Sequence, residues 1–246
     1  MGLFDFLRNS NTQSSSARLF KIGSEDYLQK NYQEALDKFL MALGLLEKSK
    51  LNPIQKDELT ASIFASMGQC RAKLRQFELA EIDLNKAIAL RPDDQGLWFG
   101  LGSVKLDQNQ FEEAISLFIK MIDIDPSSPD GYYFLGVCKM ELKRYEEAIL
   151  NYEEALAIEI NSGSNEDIAH TLIGLGQSNY GLEKLANALM YYDRAISFDN
   201  NNSAAFVLRG NCKVDMGDKR GGCEDYHRAL KLGDSMVQEN IDEHCK

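Results

Sequence analysis

Proline is scarce in this sequence, with four in 246 residues, and runs of Val or Thr are few. Leu, Ala, Glu and Lys are plentiful instead. The chain therefore lacks both the commonest helix breaker and the composition of strands, and an all-α fold is expected. Positive charge is in deficit: 27 Lys and Arg against 38 Asp and Glu leave a formal charge of -11. That field repels phosphate, and no basic cluster is denser than pieces such as KMELKR, so no nucleic-acid partner is expected. Long apolar runs are also missing. The opening MGLFDFLRNSNTQSSS has no basic leader before an apolar stretch, and Phe6 stands where N-myristoylation requires Ser or Thr. Neither an export signal nor a membrane association is expected.

Five cysteines, an odd number at scattered spacings, suggest reduced thiols in the cytoplasm rather than a disulfide framework. Three histidines and no G-x-S-x-G, P-loop or H-E-x-x-H pattern leave no nucleophile, phosphate cradle or zinc pair, so neither catalysis nor a cofactor is expected. Cys223 and His227 lie four apart on one helix face, with Cys212, His244 and Cys245 as conceivable neighbours. Metal-ligand spacing is nevertheless absent, and no metal site is assigned. The pairs Glu112-Glu113, Glu146-Glu147 and Glu153-Glu154 read as solvated helix faces.

What is present is a period. Moving WFGLGSVKLDQNQFEEAISLFIKMIDIDP, residues 98 to 126, by 34 positions places Gly102 on Gly136 and Ala114 on Ala148; moving it back by 34 places it on Gly68 and Ala80. Positions 35, 80, 114, 148, 188 and 222 mark one such residue in each of six copies, separated by 45, 34, 34, 40 and 34 residues. Within a copy, Trp98, Leu101, Gly102 and Leu106 follow helical spacing, as do Ala114, Leu117, Phe118, Met121 and Ile122. Each unit is two amphipathic helices joined by the short polar turn DQNQ, which requires them to run antiparallel. Gly102 and Ala114 are small enough for close backbone approach, and Pro126 ends the second helix. One such pair cannot hide its apolar face, so the copies must stack. The units are expected at about 16–50, 61–94, 95–128, 129–162, 169–202 and 203–234.

The two long steps are insertions. Pro53, in EKSKLNPIQKDEL, is placed to begin a longer first helix, whereas NSGSNED (161–167) suggests an exposed loop before a helix starting near Asn165. Residues 1–15 read as a flexible arm with Leu3, Phe4, Phe6 and Leu7 as an apolar patch. At the other end, Val237, Ile241 and Cys245 behind Ser235 read as a capping helix over 235–246.

The pattern W-x2-L-G, A-x3-F, P formed by Trp98, Leu101, Gly102, Ala114, Phe118 and Pro126 resembles the tetratricopeptide repeat family. The likeness extends over about residues 16 to 234. One aromatic of the family pattern is replaced by Lys105, Lys139 and Lys213. The last copy, GDKRGGCEDYHRALKLGD, resembles a bacterial variant of the repeat. The resemblance implies a right-handed superhelical solenoid of about six units, with a concave groove lined by the first helices. At the family's groove positions stand Phe99, Ser103, Leu106, Tyr133, Phe134, Val137, Met140, Ile173, Gln177, Tyr180, Val207 and Asn211. These are mostly apolar or aromatic. The basic clamp with which some members hold an acidic chain end is missing, since its places carry Phe20, Ser24, Ser66, Gly96 and Gly100. The implied function is a non-catalytic scaffold that binds a peptide or partner helix in an apolar groove. The alternative is a self-associating protein whose N-terminal arm fills its own or a neighbour's groove.

Overall fold

A computed structural model describes residues 15–162 and 164–245. The expected arm thus lies outside the described residues, apart from Ser15. The described residues form helices and turns without strands, in two compact units divided between Asp125 and Pro126.

The first unit holds three antiparallel helix pairs: α1 (Ser15–Leu28) with α2 (Tyr32–Leu46), α3 (Pro53–Lys73) with α4 (Phe77–Leu90), and α5 (Gln95–Asp107) with α6 (Phe111–Ile124). The second unit holds α7 (Pro129–Glu141) with α8 (Tyr145–Ser162), α9 (Asn165–Gly181) with α10 (Leu185–Phe198), and α11 (Ser203–Asp215) with α12 (Lys219–Lys231). A short 3-10 turn at Ser235–Val237 and α13 (Gln238–His244) follow. Each unit is a short all-α solenoid.

The turns inside the pairs share one device. Lys30, Arg75, Asn109, Lys143, Glu183 and Gly217 all adopt a left-handed backbone, five of them without the glycine that would make it easy. In the third pair, Asn109 N–H donates to the Leu106 carbonyl (2.9 Å) and Gln110 N–H to the Lys105 carbonyl (2.8 Å), which satisfies the last carbonyls of α5. The same pair of bonds recurs in every hairpin turn, so the polar turn is a true helix stop.

Packing within a pair also repeats. The small residue of the first helix receives a large side chain from the second: Phe39 lies on Gly23, Phe118 on Gly102, Tyr192 on Gly176 and Tyr226 on Gly210. A Cβ added at Gly102 would stand 2.6 Å from the Phe118 ring. The glycine therefore makes room for a ring as much as for a backbone, a refinement of the expected helix contact. Trp98 packs beside the core of Leu84, Leu97 and Leu101, and its indole N–H donates to the Pro92 carbonyl at 2.7 Å. The lysines that replace the family aromatic have their own partners. Lys105 Nζ lies 2.8 Å from Glu81 and 2.9 Å from Glu113, Lys139 pairs with Glu147, and Lys213 lies 2.8 Å from Asp225. Ion pairs thus replace stacking at those three places.

Both insertions lengthen helices, the first after a non-helical stretch over residues 47–52. Asn52 accepts from Gln55 N–H at 2.9 Å and caps α3 just before Pro53. At the second insertion α9 starts at Asn165, as expected, and the described residues 161 and 164–167 are exposed; the departure from the expected loop is that α8 continues to Ser162, so that α8 runs for 18 residues and α9 for 17. Ser164 caps α9, accepting from Asp167 N–H at 3.1 Å, while Ser164 N–H donates back to the Asp167 carboxylate. The added turns bury Glu159, Ile168 and Thr171, and burial against a neighbouring helix is what keeps them helical.

The cysteine expectation is corrected for two of the five. Cys70, Cys138 and Cys212 are buried thiols, but Cys223 on α12 and Cys245 after α13 form a disulfide, with Cα atoms 5.6 Å apart. A disulfide persists where thiol reductants are scarce, so the cysteines no longer argue for the cytoplasm. Sequence spacing could not show this, because folding α13 back on the last pair is what joins positions 22 residues apart. Val237 is buried there with Phe206, Tyr226 and Ala229, and Ile241 packs on the same cluster. Among the described residues no group of His, Cys, Asp and Glu could hold a metal ion.

Candidate binding site

Among the described residues of the second unit, two cavities take walls from the first helices of its pairs. The lower one, about 330 Å³, is lined by Met140 and Glu141 at the end of α7, Gln177 and Tyr180 on α9, and Leu208 and Asn211 on α11. Lys143, Tyr145, Gly181 and Tyr192 complete it. Regular stacking explains the convergence: positions 34 to 40 residues apart in sequence return to one face at each repeat. The polar groups are held in place. Tyr180 donates its hydroxyl to Asp215, and that bond, with burial second, pushes the phenol up to about 12. Asn211 Oδ1 accepts from Tyr226 at 2.8 Å and from Asn240 of α13 at 3.2 Å, so the terminal helix orients a residue of the cavity.

The upper cavity, about 430 Å³, is lined by Pro129, Asp130, Tyr133 and Phe134 of α7, Glu159 of α8, and Asp167 and His170 of α9. Tyr133 stands edge-on to Phe134, with ring centroids 5.1 Å apart, and edge-on to Tyr152 behind it at 5.7 Å. Glu159 is only 4% exposed. Its Oε1 accepts from the Thr171 hydroxyl at 2.9 Å, while Oε2 has no hydrogen-bond partner among the described residues. Burial pushes Glu159 up to about 7; the Thr171 bond opposes the rise, and Asp167 and Asp130 add to it. Burial, then Asp167, raises Asp130, and burial, then Glu159, raises Tyr133.

The raised carboxyl has a consequence for stability. Folded Glu159 holds its proton from the ordinary value of 4.5 up to about 7, so between those values the folded state binds more protons and stability falls as pH rises. Glu159→Gln keeps an oxygen for Thr171 and removes the charge. At pH 8 it is expected to stabilise the second unit by about 3 kcal/mol, roughly 10 °C in Tm, and at pH 4.5 to change nothing. Thermal unfolding of both proteins at the two pH values checks this, and an equal difference at both would contradict it.

The expected groove residues divide. Met140, Gln177, Tyr180 and Asn211 meet at the lower cavity, and Tyr133 and Phe134 at the upper one. Val137 is half-buried against the core of Tyr152 and Leu172. Ile173, expected on the groove, is 8% exposed and belongs to that core, because α9 is covered on both flanks. Val207 packs beside Phe206 and Tyr226. Phe99, Ser103 and Leu106 lie on α5 of the first unit, Phe99 exposed and the others half-buried. Glu159 was missed: it sits on a second helix, and only the lengthening of α8 carries it to the cavity. The six-residue excess in the 40-residue step was the available signal.

Comparison with known proteins places the repeats. A family model described as tetratricopeptide repeat matches residues 128–201, and one described as anaphase-promoting complex, cyclosome, subunit 3 matches residues 73–155. No curated protein sequence matches the chain. Among solved structures, pilF of Pseudomonas aeruginosa is similar at a TM-score of 0.70 and 16% identity, covering 92% of this chain and 96% of that one. MamA (41-end) from Desulfovibrio magneticus RS-1 follows at 0.62 and 18%, covering 72% and 98%. YrrB, described as a TPR protein with an unusual peptide-binding site, is similar at 0.56 and 18%, covering 74% and 92%. With 34-residue helix pairs, left-handed turns and a small residue under each large side chain, the chain has the helix-pair fold of these structures, and over residues 128–201 it is similar to the tetratricopeptide repeat family.

Proposed function

We propose that the chain is a non-catalytic scaffold that holds a peptide or partner helix on the face of the second unit formed by α7, α9 and α11. The observation that carries this reading is the lower cavity: three successive first helices supply one concavity in which Met140, Tyr145, Tyr192 and Leu208 are apolar walls and Gln177, Tyr180 and Asn211 are polar guides. Such a composition suits an apolar anchor side chain with backbone groups on either side. The likeness to the tetratricopeptide repeat family supports binding rather than catalysis, and the peptide site named for YrrB supports a peptide as the form of partner.

The test is a displayed random-peptide library selected on the full chain, with the selected peptides measured by calorimetry against Tyr180→Ala and Leu208→Ala. Truncating a central anchor is expected to weaken binding by at least tenfold, about 1.4 kcal/mol, with helix content unchanged. Peptides that bind both variants as tightly as the parent would refute the site. A library that yields no binder would refute the function.

A further inference from the structure

The upper cavity has no place in an apolar-anchor mechanism, yet it is built more unusually than the lower one. Its floor is the Glu159 carboxylate, buried and with one oxygen unpartnered among the described residues. A buried acceptor left open is costly unless a donor arrives. The rim adds Asp130 and Asp167, and the side wall is the aromatic pair Tyr133 and Phe134. Carboxylates and aromatic rings lining one cavity form a receptor for a cation, by charge and by cation–π attraction.

The geometry selects among cations. Glu159 Oε1 is already taken by Thr171, so the carboxylate offers one oxygen and not the parallel pair that a guanidinium fork prefers. The side chains do not form a metal-holding group. A compact ammonium with three donors matches three carboxylates, and its alkyl stem matches the aromatic wall.

We infer that the cavity lined by Asp130, Tyr133, Phe134, Glu159 and Asp167 is a subsite for the side-chain ammonium of a lysine in the bound partner. This rests on the reading of the second unit as a peptide-binding scaffold and names one side chain of that peptide. The acidic balance of the protein, 38 acidic against 27 basic residues, favours approach of such a partner. Capture is coupled to pH. The ammonium favours the ionised form of Glu159, while burial, Asp167 and Asp130 favour the neutral one. Binding therefore strengthens from pH 5 to pH 8 and releases a proton near neutrality. The remaining titratable group lining the cavity is His170 of α9.

The experiment uses the full chain labelled with 15N and the capped amino acid Nα-acetyl-lysine methylamide. Its controls are the Nε-acetylated form and leucine methylamide, which carries an α-ammonium instead. The lysine probe is expected to shift the amide signals of Asp130, Tyr133, Asp167 and His170, to bind at least tenfold more tightly than either control, and to lose tenfold in Glu159→Gln. Because the acetylated control acts on the unaltered protein, the result does not depend on a variant folding; Asp130→Asn supplies a second variant with a smaller expected loss. The inference is overturned if the lysine probe shifts none of these signals, if acetylation leaves its affinity unchanged, or if Glu159→Gln binds it equally. Leucine methylamide binding as tightly would overturn the lysine source in favour of a chain N-terminus. Failure here, with library peptides still dependent on Tyr180, removes the subsite alone. A lysine response without any library peptide removes the scaffold reading and leaves an amine site.

Discussion

Tyr152→Ala is expected to lower the stability of the second unit by about 3–5 kcal/mol, the range for deleting a buried aromatic ring. The ring is 1% exposed and is clasped by two glycines: a Cβ on Gly136 would stand 2.7 Å from it and one on Gly174 2.5 Å. Neighbours can relax into a hole only if they have side chains to move, and glycines have none, so the hole stays open. Tyr152→Phe is expected to be nearly neutral, because among the described residues the hydroxyl meets the Met140 sulfur at 4.0 Å, a weak acceptor. The converse change confirms the fit from the other side. Gly174→Ala, which in an open helix would gain about 0.5–1 kcal/mol, is expected to cost about 1–3 kcal/mol by crowding the ring. Gly44, with nothing within 4 Å of its added Cβ, is expected to show the ordinary gain with Ala. Urea midpoints for the four proteins check the set. A loss below about 1 kcal/mol in Tyr152→Ala would mean that the site collapses, contrary to the packing described.

Reduction of the Cys223–Cys245 bond is the second large effect. Closing a loop of 22 residues restricts the unfolded chain by about 3 kcal/mol, so reductant is expected to destabilise the second unit by that order. Cys245→Ser should reproduce the loss and then be insensitive to dithiothreitol. The loss should begin at the end of the chain. α13 is seven residues long and is otherwise held by Ile241 on the Val237 cluster and by Asn240 on Asn211. Faster proteolysis after residue 234 and weaker binding at the lower cavity should accompany reduction, since Asn240 helps to orient Asn211. Unchanged unfolding in reductant would contradict the prediction. The buried thiols Cys70, Cys138 and Cys212 should stay unreactive until the protein unfolds, and burial pushes Cys70 up to about 12.

Much of this architecture is local and was legible. The helix start at Pro53, the stop before Pro126, the polar turns and the 34-residue recurrence are properties of a few neighbouring residues, so the sequence alone determined that the chain is built of helix pairs. The positions of Tyr180, Gln177, Met140 and Asn211 on one face follow from the same recurrence. The tertiary structure decided what depends on contacts between distant residues. How far α8 and α9 extend toward each other is settled by what covers Glu159, Ile168 and Thr171, and whether Ile173 faces a partner or the core is settled by the helices on either side of α9. Likewise the partner of Cys245 and the burial of Glu159 arise only when separate repeats stack, because a lone helix pair presents those side chains to water and gives no reason to distinguish them from any other surface thiol or carboxylate.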